Sequence, residues 1–285
     1  MPSAVIEWLR SEGIAPTLVV ADGGASLSSF APLDESESLI ASAWAGLEPG
    51  DLVVTRSRDP FALALLEEAE ARNARTLDGA YAVERVRNKA TCALGLARRG
   101  LPIPPTLLAR GPDDLRDLPR TAFPLVVKPV LGDNAQGVRI VAERGELDSV
   151  EWDGQLVIAQ AYVEAGGLDT KLYVVGDRLW ATRRPGPLSD LEEPVTRVDV
   201  TPALRAIADG CRREFGLKLF GVDVLESEDR LAIVDVNEFP NYTGVDEAPA
   251  AIGALVLSAA SPAGDPTSDR VPVTTQTNLA ARQMP

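Results

Sequence analysis

The sequence predicts a mixed α/β and α+β protein, with a parallel α/β layer at the N-terminus followed by two α+β units built on antiparallel sheets. Three observations carry this. Over the first 87 residues short apolar runs alternate with helical periods, the pattern of a parallel layer. After the Pro-rich passage LPIPPT, β-type runs follow one another closely, the pattern of antiparallel pairing. Two pairs of those runs are joined by short turns, at Gly176-Asp177 and at 227–230, which marks them as hairpins.

In chain order, Ser3 is the expected N-cap of a helix carrying Val5, Ile6, Trp8 and Leu9 and closed by Gly13. TLVVA at 17–21 and DLVVT at 51–55 read as strands, Asp59-Pro60 starts a helix with Phe61, Leu65 and Leu66 inward, and ARTLD at 74–78 is a third strand. The strand that usually opens such a layer would precede residue 1. The 17–21 edge is therefore expected to be covered by another segment or by a second subunit, as in a homodimer.

A helix over 88–99 ends at Gly100. FPLVVKP and GVRIV, joined by VLGDNAQ, and QLVIAQAYV at 155–163 make a small antiparallel sheet. KLYVVGDRLWATRR at 171–184 and LFGVDVLESEDRLAIVDVN at 219–237 are the hairpins. Between them, Leu204, Ile207, Cys211 and Phe215 form the apolar stripe of a helix. The end of the chain is rich in Pro, Thr, Ser and Gln with no sustained period, the composition of a mobile tail. The expected domains are 1–87, 88–164 and 165–257, with the tail at 258–285.

With 285 residues the chain can bury sizeable cores. Its 42 acidic against 28 basic residues, a net charge of −14, argue against a nucleic-acid footprint or an anionic-membrane patch. It has no apolar run near the roughly 20 residues of a membrane span and no signal-peptide layout, so a cytoplasmic protein is expected. Cys92 and Cys211 belong to no paired-cysteine motif. Histidine is absent altogether, which removes Ser-His and Cys-His nucleophiles, histidine-ligated metals and a histidine base. Chemistry must run on carboxylates, Lys, Arg, backbone amides and a hard metal ion.

Alternation along AIVDVNEFP sends Asp235 and Asn237 to one strand face and Val234 and Val236 to the other. Across the hairpin, Asp223 in GVDVL joins them, with Phe220, Val222 and Val224 on the buried face. Three converging oxygen groups suit Mg²⁺ shared with a phosphate-bearing substrate. Lys128 ends the run Leu125-Val126-Val127, and the loop from Gly132 to Gly137 follows it. A strand lysine and a glycine loop together offer charge and backbone amides to phosphate. Lys89, Lys171, Arg183 and Arg184 add cations.

In order, VRNKATCALGLARRGLPIPPT, FPLVVKPVLGDNAQGV, QAYVEAGGLDTKLYVVGDRLWATRR, FGVDVL and DVNEFP resemble the ATP-grasp superfamily over roughly residues 50–257. The nearest resemblance is to ribosomal-protein glutamate ligases and related carboxylate-amine ligases. It implies ATP held between two antiparallel sheets and a ligase forming an amide or peptide bond through an acyl phosphate. The substrates would be a small carboxylic acid, or a peptide, and an amine. Residue by residue, Lys89 and Lys128 match the nucleotide lysines, and Gln160, Tyr162 and Val163 lie in the segment whose backbone reads adenine. Asp169 matches the ribose-binding acid, Asp223, Asp235 and Asn237 match the ligands of two Mg²⁺ ions, and Lys171 and Arg184 face the transferred phosphate and the substrate carboxylate.

Two alternatives stay open at this point. KLYVVGDRLWATRRPGPL and DVNEFPNYTGV also resemble the inositol trisphosphate kinases, which phosphorylate an alcohol. The phosphate loop GDNAQG, with Asp133 and Ala135 where the ligases carry Ser and an extra Gly, suits a nucleotide-binding protein without turnover.

Overall fold

The computed structural model describes residues 2–14, 16, 47, 50–56, 60–132, 135–150, 154–227 and 230–261. The expected strand at 17–21 and its edge, Asp133, and the chain from 262 onward lie outside them. The described chain forms two compact units, one from residues up to Leu77 together with those from Glu247 on, the other Asp78–Asp246.

The first unit holds α1 (Pro2–Ser11), β1 (Leu52–Val53), α2 (Pro60–Ala71), β2 (Arg75–Thr76) and the final helix, Ala248–Ala260. β1 and β2 pair in parallel, Leu52 opposite Arg75 and Val53 opposite Thr76, as the alternating pattern predicts. Ser3 is not the cap of α1: the helix already begins at Pro2, because proline lacks the N–H that a first-turn residue leaves unbonded. Gly13, at φ +83°, ends it as expected. α1 lies on the final helix, where a Cβ at Gly253 would stand 2.0 Å from the Trp8 ring. The Arg75 guanidinium donates to the carbonyls of Ala259 and Ala260 at 2.8 Å each, satisfying acceptors that a helix C-terminus leaves open.

The second unit opens with α3 (Ala80–Arg87) and α4 (Lys89–Arg98). Asn88 separates them: its backbone is extended and its side chain accepts from the N–H groups of Ala90 and Thr91, an N-cap. A four-stranded antiparallel sheet follows, made of β3 (Thr106–Ala109), β4 (Leu125–Pro129), β5 (Arg139–Val141) and β6 (Val157–Ala161), in the order β3-β6-β4-β5. One face buries Ala109, Leu125, Val127, Val141, Val157 and Ala159 against Leu115 and Leu147, which come from short 3₁₀ turns. Lys128 and Gln160 alternate onto the other face.

A five-stranded antiparallel sheet completes the unit: β7 (Leu168–Val175), β8 (Arg178–Pro185), β9 (Thr196–Val198), β10 (Leu219–Ser227) and β11 (Arg230–Glu238), in the order β11-β10-β7-β8-β9. α5 (Pro202–Phe215) packs on it through the expected stripe, with Leu204, Ile207, Cys211 and Phe215 all buried. Thr201 caps α5 by accepting from the Leu204 N–H, and Gly216, at φ +75°, closes it. Phe220, Val222 and Val224 are buried as alternation requires. Val234 departs from it. The β10–β11 register slips beside Asp223, pairing Asp223 with Asp235 and then Val224 with Ile233, so Ile233 takes the buried place and Val234 bulges out without a cross-strand partner. Among the described residues no helix is long and apolar enough to cross a membrane.

Candidate active site

Cross-strand register builds the site. Asp235 lies opposite Asp223, Asp223 opposite Lys171, and Lys171 opposite Thr182, so one row crosses four strands on a single face. The Lys171 Nζ sits 2.6 Å from Asp223 Oδ2, and the Asn237 amide donates to the same oxygen at 3.0 Å. One row along, Asp169 lies opposite Arg184. The Arg184 Nη2 is 3.6 Å from Asp223 Oδ1. Arg183, on the reverse face, instead pairs with Glu226 at 3.1 Å.

Two further lysines enter from other elements. Lys89, the first residue of α4, bonds Asp235 Oδ2 at 2.8 Å. Lys128 reaches from β4 across to the bulge, donating to the Val234 carbonyl at 3.1 Å and to Gln160 Oε1 at 2.7 Å. Gln160 in turn donates to Thr106 Oγ1 at 3.0 Å. Lys89 and Lys171 are thus held by carboxylates, whereas Lys128 is held by two uncharged oxygens. The Thr106–Gln160–Lys128 chain and the Val234 carbonyl escape a sequence reading, since the first rests on strand pairing and the second on a bulge with no residue signature.

Charge follows the same layout. Burial pushes the Lys128 ammonium below the usual lysine range, with Asp235 opposing. Burial would raise the Asp235 carboxyl, but the Lys89 and Lys128 ammonium groups more than offset it and hold it low. Asp169 is pushed up to about 6, first by burial and then by the nearby Asp223 charge.

The remaining expected residues follow β4 and β6 in the chain. Gly137 adopts φ +71°, and a Cβ there would stand 2.7 Å from Pro129 Cγ, so glycine is required where the loop folds back on its strand. Gly132 faces only ordinary contacts. The Tyr162 N–H is taken by the Pro124 carbonyl, the residue is 37% exposed, and Val163 after it is half-buried.

Two carboxylates and an amide on facing strands are hard oxygen donors, and Asp223 Oδ1 is buried without a hydrogen-bond partner. Both observations fit Mg²⁺, which binds few protein ligands and keeps the rest of its shell for water and phosphate.

Two antiparallel sheets joined by a lysine that spans them, with paired carboxylates on one, define the class as ATP-grasp. The chain belongs to the RimK-like ATP-grasp family, whose domain matches residues 86–253. A probable alpha-L-glutamate ligase of Stutzerimonas stutzeri is 32% identical over 218 residues, covering 70% of this chain and 72% of the relative. Another, probable alpha-L-glutamate ligase 1 of Hahella chejuensis, is 30% identical over 219 residues, covering 71% and 72%. Among solved structures, a RimK domain ATP-grasp protein from Sphaerobacter thermophilus superposes with a TM-score of 0.66 at 15% identity, over 90% of this chain and 94% of the other. The ATP-grasp ligase PsnB, complexed with precursor peptide PsnA2 and AMPPNP, gives 0.65 at 19% identity, over 91% and 93%. The chain is accordingly an ATP-dependent carboxylate-amine ligase, and the kinase reading is not favoured.

Proposed function

We propose that the cluster around Asp223 and Asp235 activates a substrate carboxylate with ATP and passes it to an amine, with the roles divided as follows. Lys89 and Lys128 bind phosphate oxygens. Asp169 binds the ribose hydroxyls, and the backbone from Gln160 to Val163 meets the adenine edge. Asp223, Asp235 and Asn237 hold two Mg²⁺ ions, which supply neutralisation of the phosphates and polarisation of the transferred group. Lys171 and Arg184 orient the substrate carboxylate, whose oxygen attacks the γ-phosphorus as ADP leaves. The amine nitrogen then attacks the carbonyl carbon, phosphate departs and the nitrogen gives up its proton. No protein nucleophile is consumed, in keeping with a chain that has no histidine.

The observation that carries this reading is the pairing of Lys89 from α4 and Lys171 from β7 with two facing carboxylates, while Lys128 from β4 bonds the Val234 carbonyl next to Asp235. Like that, the cations stand ready for phosphate and the carboxylates for metal, and each neutralises the other until both ligands arrive. The acid partner is a small carboxylate or a peptide; L-glutamate, named for the relatives, is the first amine to try.

Pooled acids and amines with ATP and Mg²⁺ test it by following ADP and inorganic phosphate together. Amide formation releases both in equal amounts. ADP without matching phosphate would mean the phosphoryl group stays on the product, as in a kinase, and nucleotide binding with no ADP from any pool would mean a protein without turnover.

A further inference from the structure

The edge strand of the five-stranded sheet is gripped from both sides by one junction. Lys89 meets β11 on its front face at Asp235. Two residues earlier, the Arg87 Nε bonds Glu238 Oε1 at 2.9 Å. Glu238 follows Asn237 and so alternates to the back of the strand. Both partners are well covered, at 13% and 8% side-chain exposure. Between them, Asn88 is fixed by its capping bonds, and the Lys89 N–H is bonded to the Val130 carbonyl at 3.0 Å. The α3–α4 junction therefore straddles β11, with one cation on each face.

The two pairs differ in what a nucleotide does to them. A phosphate that recruits Lys89 draws its ammonium away from Asp235, which removes that tie between junction and strand. Glu238 faces away from the cluster, so its bond to Arg87 survives. A lysine on a four-carbon stem is useful to a phosphate only if its backbone stays in place.

We infer that Arg87 and Glu238 form a positioning pair, which holds the α3–α4 junction against β11 so that Lys89 remains aimed at the nucleotide phosphates once its own bond to Asp235 is released. This rests on the reading of Lys89 as a phosphate ligand. Neither residue touches the nucleotide; both act through Lys89.

The test is ADP binding with Mg²⁺ by calorimetry on the full chain, alongside KM for ATP and kcat, for Lys89→Met, Glu238→Gln and the double variant. Each single change should weaken ADP about tenfold, and the double variant should be no weaker than Lys89→Met alone, because the pair has nothing left to aim. Arg87→Lys, which keeps the charge but offers a point donor for a planar one, should lose only part of the affinity, and it serves in place of Glu238→Gln if that variant does not fold. Losses that multiply in the double variant would overturn the inference, as would a Glu238→Gln protein that melts earlier yet binds ADP normally. Unchanged ADP binding in Lys89→Met would overturn the Lys89 reading itself.

Discussion

Arg183 and Arg184 are chain neighbours that serve opposite faces of one sheet. Arg183 is committed to Glu226, whereas Arg184 stands near Asp223 with its Nε buried and without a hydrogen-bond partner. A planar guanidinium engages a carboxylate through two parallel bonds, which a lysine cannot reproduce. Arg184→Lys should therefore raise KM for the acid or lower kcat about tenfold, with ATP affinity nearly unchanged. Arg183→Lys should do little, and the reverse pattern in steady-state kinetics would put the substrate on the other face. At the carboxylates, Asp223→Asn and Asp235→Asn should each cut turnover about a hundredfold or more by removing charge that holds Mg²⁺. Near-parental rates at limiting Mg²⁺ would show that the cation is held elsewhere. At this scale the sequence was informative about faces, since alternation alone separates Arg183 from Arg184 and groups Asp235 with Asn237. It could not say which oxygen Lys128 would meet, because the Val234 carbonyl is presented by backbone geometry.

Elements were legible where a period and a terminator coincide. α5 shows both, with an apolar stripe ending at Phe215, Thr201 before it and Gly216 after it. Thr201→Ala should cost about 1 kcal/mol by leaving the Leu204 N–H without its acceptor, a shift visible in urea unfolding with KM for ATP unchanged. A normal midpoint would mean that water replaces the cap at no cost. The final helix is the counterexample, apolar nearly all round, so its sequence does not announce which side meets α1. Packing decides it through Gly253, which the Trp8 ring covers. Gly253→Ala should destabilise the protein by about 1–3 kcal/mol, despite alanine's better helix propensity, because the added methyl has no room. Stabilisation would mean that Trp8 can swing aside. The 3₁₀ turns at 112–115, 120–122 and 144–149 had no sequence signal, since one or two turns are too short to show a period.

Across the whole molecule, acidity is partly built in. Burial pushes the Asp78 carboxyl up from 3.8 to about 6, although it accepts from the N–H groups of Lys218 at 2.6 Å and Leu219 at 3.0 Å. Because the folded chain binds that proton more tightly, the stability it contributes is complete below about pH 4 and is lost as pH rises through 6. Asp235, held low, has the opposite sign, and its contribution fades as pH falls. Comparing the parent with Asp78→Asn isolates the first effect: the stability difference in favour of the parent should shrink by about 2–3 kcal/mol between pH 4 and 7. A constant difference in chemical unfolding across that range would show that Asp78 does not titrate there. The sequence by itself determined the chemistry available, through its lack of histidine and its oxygen and lysine motifs. It also determined the element types and the order of motifs that marks ATP-grasp, because periodicity, turn residues and alternation act between near neighbours. Only the tertiary structure decided the contacts: Lys89 on Asp235, 146 positions apart, Lys128 on Val234, 106 apart, and Arg87 on Glu238, 151 apart. Such pairings depend on sheet order, on a one-residue slip in register and on how a junction meets an edge strand, and these are settled by the joint packing of many side chains.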